Sequence, residues 1–130
     1  MREASLELLA SRGDVWRFLA EPYHLADWWP GITGVVPDRR GLAPGARWKV
    51  LTSKRNVFTG PRPVETMLLV RDVEPFERLA FHVLATRLDV EVRLKAAAPD
   101  RTTVTVAVSR GNPDQAVRRL YDLVQTAASL

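Results

Sequence analysis

Between Arg87 and Lys95 the chain reads RLDVEVRLK, a strict alternation in which Leu88, Val90, Val92 and Leu94 are separated by charged residues. Successive side chains of a strand point to opposite sides, so this pattern fits a sheet with one oily face and one wetted face. After the turn AAPDR, the segment TTVTVAVS repeats the alternation through Val104, Val106 and Val108. Half-buried antiparallel strands need a cover for their oily face, and a helix is the common solution.

The cover is the last segment. Asn112-Pro113-Asp114-Gln115 supplies an N-cap, a proline at the first helical position and a Gln three residues after the cap. Val117, Leu120, Tyr121, Val124, Ala127 and Ala128 then recur at helical spacing. At the front, residues 3–10 read as a strand with Ala4, Leu6 and Leu8 on one face. Ser11 caps a short helix over about 12–20, with Asp14 in its first turn, and Pro22 opens a second over about 22–28 that Pro30-Gly31 ends. Between these helices and RLDVEVRLK lie Thr33–Val36, ARWKVLT, Val64–Val73 and RLAFHVLA, all read as strands. The expected fold class is α+β: an antiparallel sheet of about six or seven strands, two short helices after the first strand and one long terminal helix. Residues 1–130 are expected to form one domain.

Several function classes are disfavoured. The chain has no cysteine, which excludes a disulfide framework and thiolate chemistry. No apolar run approaches the ~20 residues that span a bilayer, so stable membrane insertion is not expected, and without a secretory signal the expected location is cytoplasmic. Arginine supplies 16 of 19 basic residues and the net charge is +4. These cations are scattered, the tightest pairs being Arg39-Arg40, Lys54-Arg55 and Arg118-Arg119. A solvated surface is the simpler reading of that spread, and nucleic acid is not an expected partner. No nucleotide-binding or nucleophile motif is present. His24 and His82 stand isolated, so neither a metal site nor a cofactor is expected.

The order of elements resembles the helix-grip fold of the START-like (SRPBCC) superfamily over nearly the whole chain. The segments that carry the likeness are SLELLASRGDVWRFLAEPYHLADWWPGI, LAPGARW, VEPFERLAF and the terminal helix. Val15-Trp16, Trp29-Pro30 and Pro44-Gly45 fall where the polyketide cyclase/dehydrase-like branch carries similar pairs. This resemblance implies a curved sheet gripping the terminal helix, with an elongated cavity between them. Members bind sterols, lipids, polyketides, plant hormones, quinones or other flat apolar molecules; a minority are cyclases or dehydratases, and others act through protein contacts.

The residues themselves leave several roles open. Neighbours on a helix differ by about 100° in direction, so Trp28 and Trp29 cannot face one point: either both are core packing, or one fills the helix–sheet junction while the other stands near a cavity rim. Trp48, Phe58, Met67, Phe81 and Tyr121 are the remaining candidates for an apolar ligand-binding wall, and a plain core would use them equally well. His24 and Asp27, at i and i+3, suit either an oriented imidazole or an ordinary surface hydrogen bond. Alternation points His82 away from the oily face. Thr66 and Tyr121 are the best inward polar groups, and both also serve as satisfied core hydrogen-bonding residues. The oily positions carry no acid or base, which favours binding a small hydrophobic or aromatic molecule over catalysis. The alternative is a cyclase/dehydratase-like enzyme using His82, Tyr121 or the His24–Asp27 pair, and a third reading is a protein-interaction module. The assembly is expected to be a monomer or a homodimer.

Overall fold

The computed structural model describes residues 1–56 and 60–129, so Phe58 lies outside the described residues. Strand β1 (Arg2–Leu8) leads into helix α1 (Arg12–Ala20), a 3-10 turn (Pro22–His24) and helix α2 (Leu25–Trp28). Strands β2 (Ile32–Val36), β3 (Arg47–Asn56), β4 (Gly60–Glu74), β5 (Arg78–Val83), β6 (Leu88–Ala98) and β7 (Arg101–Val108) follow, and helix α3 (Asp114–Ser129) closes the chain. The seven strands form one antiparallel sheet in the order β1-β7-β6-β5-β4-β3-β2. This is the α+β helix-grip architecture.

Local chemistry sets the helix boundaries. Ser11 Oγ accepts the Asp14 amide at 3.2 Å and caps α1. The second short helix, expected over 22–28, is split: a 3-10 turn whose Glu21 side chain accepts the Tyr23 amide runs into a single α turn. It ends at Trp28 because a residue before proline is pushed out of the helical region, and Trp29, before Pro30, is extended with φ −92° and ψ 118°. Gly31, at φ +90°, then turns the chain into β2, a conformation that any other residue adopts at a cost. At the far end, Asn112 Oδ1 accepts the Asp114 amide at 3.0 Å and caps α3.

Ala116, Val117, Leu120 and Val124 form the buried stripe of α3, which packs mainly along β1 and also touches α1, α2 and β7. Leu8, Val104, Val106 and Leu120 have no solvent exposure at all. Thr102 is a buried polar residue among them, and its hydroxyl donates to the Ala10 carbonyl at 2.9 Å, tying β7 to the β1–α1 turn. The register breaks at Ile32/Gly34, Val70/Asp72 and Ala96/Ala98. Such bulges bend a strand and increase its twist, which curls the sheet toward the helix.

The outer face is ionic. Arg93 pairs with Glu3 at 2.6 Å and with Glu91 at 3.6 Å, and Arg78 pairs with Glu91 and Glu74 at 3.4 Å and with Asp72. Partial burial works against the Arg78 charge, but Asp72, Glu74 and Glu91 outweigh it and raise its pKa. Single pairs of this exposed kind contribute little to stability; together they mark the solvent side. Among the described residues no helix is long and apolar enough to cross a membrane.

Candidate ligand cavity

A cavity of about 510 Å³ opens at one end of the sheet. The α2–β2 corner contributes Trp29, Pro30, Gly31 and Ile32. The ends of β3 and β4 add Thr52, Ser53 and Val64, while Val83, Ala85, Thr86 and Leu88 come from the β5–β6 connection. Arg110 and Gly111, in the loop before α3, complete the wall. Its volume lies in the range of roughly 300–1,000 Å³ that holds small organic ligands.

Backbone and side-chain bonds hold this wall. The Ser53 amide donates to the Gly31 carbonyl at 3.1 Å, fastening the corner to β3. Thr66 Oγ1 accepts the Ala85 amide at 3.0 Å and Thr52 Oγ1 donates to the Val64 carbonyl at 3.2 Å, so both hydroxyls have structural partners. Ser109 binds Asp89 twice, through its amide at 3.0 Å and its hydroxyl at 2.9 Å, which fixes the loop that carries Arg110.

The two tryptophans stand at the end of α2, Trp28 in its last turn and Trp29 already extended. Trp28 is 2% exposed and Trp29 8%, their rings 5.5 Å apart and edge-on at 89°. Trp28 belongs to the core beside Trp48, Leu68 and Phe81, around a void of about 10 Å³. Trp29 sits edge-on to Phe81 at 5.8 Å and lines the cavity. Both rings are buried, so neither forms an exposed aromatic patch.

Most of the other candidates stand elsewhere. Trp48 and Phe81, expected in a ligand wall, are core: the Trp48 indole donates to the Gly41 carbonyl at 2.8 Å, and Phe81 carries Trp29 from behind. Met67 is on the outer face, opposite Lys49 in the register and one step out of phase with buried Leu68. Tyr121 is half-buried on α3 and packs against the core without lining the cavity. His24 and Asp27 are not a dyad: His24 stacks on Phe18 at 4.2 Å, its Nδ1–H donates to the Phe18 carbonyl at 2.7 Å, and Asp27 is exposed. His82 is on the outer face, where its Nδ1–H donates to Asp89 at 2.8 Å. The cavity is also displaced from the expected position along α3. Val117, Leu120 and Val124 pack into the core, and no described residue of α3 lines the opening.

Residues that the sequence reading passed over make up much of the wall: Gly31, Thr52, Ser53, Thr86 and Arg110. Of the described lining residues only Arg110 is ionisable. The described residues contain no group of three or more His, Asp or Glu placed to hold a metal ion.

A model of the family described as Activator of Hsp90 ATPase homolog 1-like protein matches residues 9–127. The chain belongs to this family. Similar solved structures agree on the architecture. An AHSA1-like protein from Aeromonas hydrophila is 18% identical with a TM-score of 0.66, covering 97% of this chain and 94% of that one. A START superfamily protein from Mycobacterium smegmatis is 11% identical with a TM-score of 0.67, at 98% and 96% coverage. The di-domain ARO/CYC protein StfQ of the steffimycin biosynthetic pathway is 14% identical with a TM-score of 0.69; the match covers 98% of this chain and 44% of StfQ. At these identities the likeness is one of fold: this AHSA1-like chain has the START-like helix-grip architecture. No curated protein matches its sequence.

Proposed function

We propose that the protein binds a small apolar or aromatic molecule in the cavity at the end of the sheet and does not transform it. What carries this reading is the lining: Trp29, Ile32, Val64, Val83 and Leu88 supply a mostly apolar wall, and no described carboxylate or imidazole reaches it. Proton-transfer catalysis needs an acid or base within about 3 Å of the reacting group, directly or through one water. The candidates for that work are committed elsewhere, His24 to the Phe18 carbonyl and His82 to the outer face. Kinship of fold with an ARO/CYC protein does not supply the missing groups, since one fold hosts many chemistries.

The test is a titration with the neutral dye N-phenyl-1-naphthylamine. Saturable binding of one dye per chain is expected, with Kd on the order of micromolar. Val64→Trp puts an indole into the wall from a half-buried strand position and is expected to abolish binding while leaving the circular dichroism spectrum intact. Absence of saturable binding to the wild type, or unaltered binding to the variant, would count against the cavity.

A further inference from the structure

We infer that the cavity takes an amphipathic anion: an apolar or aromatic body carrying one acidic group, with that group held by Arg110. This rests on the reading of the cavity as a ligand site and adds the chemistry of the ligand's polar end. Three observations carry it. Arg110 is the only ionisable residue among the described lining. Arg110 is exposed, and among the described residues no carboxylate pairs with it, whereas Arg71, Arg78 and Arg93 on the outer face have acidic partners. The backbone on either side of it is held, because Ser109 is bound twice to Asp89 at the start of β6 and the Gly111 carbonyl accepts from Arg2 at 3.5 Å.

The physical consequence is a division along the ligand. Trp29, Ile32 and Leu88 offer area without direction, whereas a guanidinium offers a planar fork of donors that fits a carboxylate or sulfonate. The lining hydroxyls of Thr52, Ser53 and Thr86 are neutral and accept either end of a polar ligand. A cationic or doubly charged ligand would leave charge unpaired against the apolar wall, which is costly. A neutral ligand would leave Arg110 to water.

A matched pair of dyes tests this. 8-Anilinonaphthalene-1-sulfonate and N-phenyl-1-naphthylamine share one skeleton and differ by the sulfonate. For Arg110→Gln, the affinity for the sulfonate is expected to fall about tenfold, as for loss of one charge-assisted contact at a partly open site. The neutral dye should hold its affinity within about twofold, and Arg110→Lys should recover part of the loss. Rising salt should weaken the sulfonate alone. If both dyes bind and are lost in Val64→Trp, yet Arg110→Gln leaves the sulfonate unchanged, the anionic preference is wrong and the apolar site stands. If neither dye binds the wild type, or if both still bind Val64→Trp and a second blocking variant, Ala85→Trp, the site and the preference fall together. Ala85 lies exposed in the β5–β6 turn, so its replacement removes no core contact.

Discussion

Thr102 is a polar side chain with no exposure inside an apolar core, and its hydroxyl serves the Ala10 carbonyl. Thr102→Val keeps the shape and strands that carbonyl, so a loss of about 1–3 kcal/mol is expected. Urea unfolding would measure it, with Thr102→Ser as the variant that retains the bond. The same scale shows where sequence patterns are readable and where they fail. Alternation assigns Val90, Val92, Val104 and Val106 to the interior because charges or threonines separate them, and all four are buried there. Around Met67 the run reads MLLV, apolar at every step, and the parity of the strand is invisible; Met67 stands on the outer face while Leu68 and Val70 are buried. Arg110 was equally illegible. Nothing in SRGNP distinguishes a cavity arginine from a solvated one until the sheet order brings the β5–β6 turn and the α2–β2 corner beside it.

Between β2 and β3 the chain spans ten residues without regular structure, and Asp38 organises them. Its carboxylate accepts the Arg47 and Arg40 amides, each at 2.9 Å. The Arg47 amide is the largest influence lowering its pKa; slight desolvation opposes it, and the Arg40 and Gly41 amides and the Arg40 charge add to the lowering. Since the unfolded carboxyl, with a pKa of about 4, takes up its proton first, the Asp38 contribution is complete above that value and is lost as pH falls through the depressed folded value. Asp38→Asn is therefore expected to lower stability at neutral pH and to flatten the decline below about pH 4, as followed by thermal melts across pH. This loop also receives the Trp48 indole at Gly41, so the same substitution should loosen a core tryptophan at one end. Elements of this kind were only partly legible: turn residues marked the loop, but a carboxylate collecting an amide nine residues away is a product of tertiary geometry.

At the scale of the molecule, two regions share one sheet. Helix α3 packs mainly along β1, with α1, α2 and β7 beside it, and its buried stripe joins the apolar core. The opening is built from the α2–β2 corner and the ends of β3 to β6. A ligand that binds only the folded chain stabilises it by mass action, by about 2.7 kcal/mol at a hundredfold excess over Kd. N-phenyl-1-naphthylamine at that excess is expected to raise the melting midpoint of the wild type and leave Val64→Trp unmoved. The order of elements along the chain was readable from alternation and helical spacing, but the place of the opening was not, because it depends on how Val117, Leu120 and Val124 pack below the helix. That separation has an evolutionary corollary. Substitutions in the rim turns can retune what is recognised while the packed core stays untouched, so descendants of this architecture are free to diverge in taste long before they risk collapse.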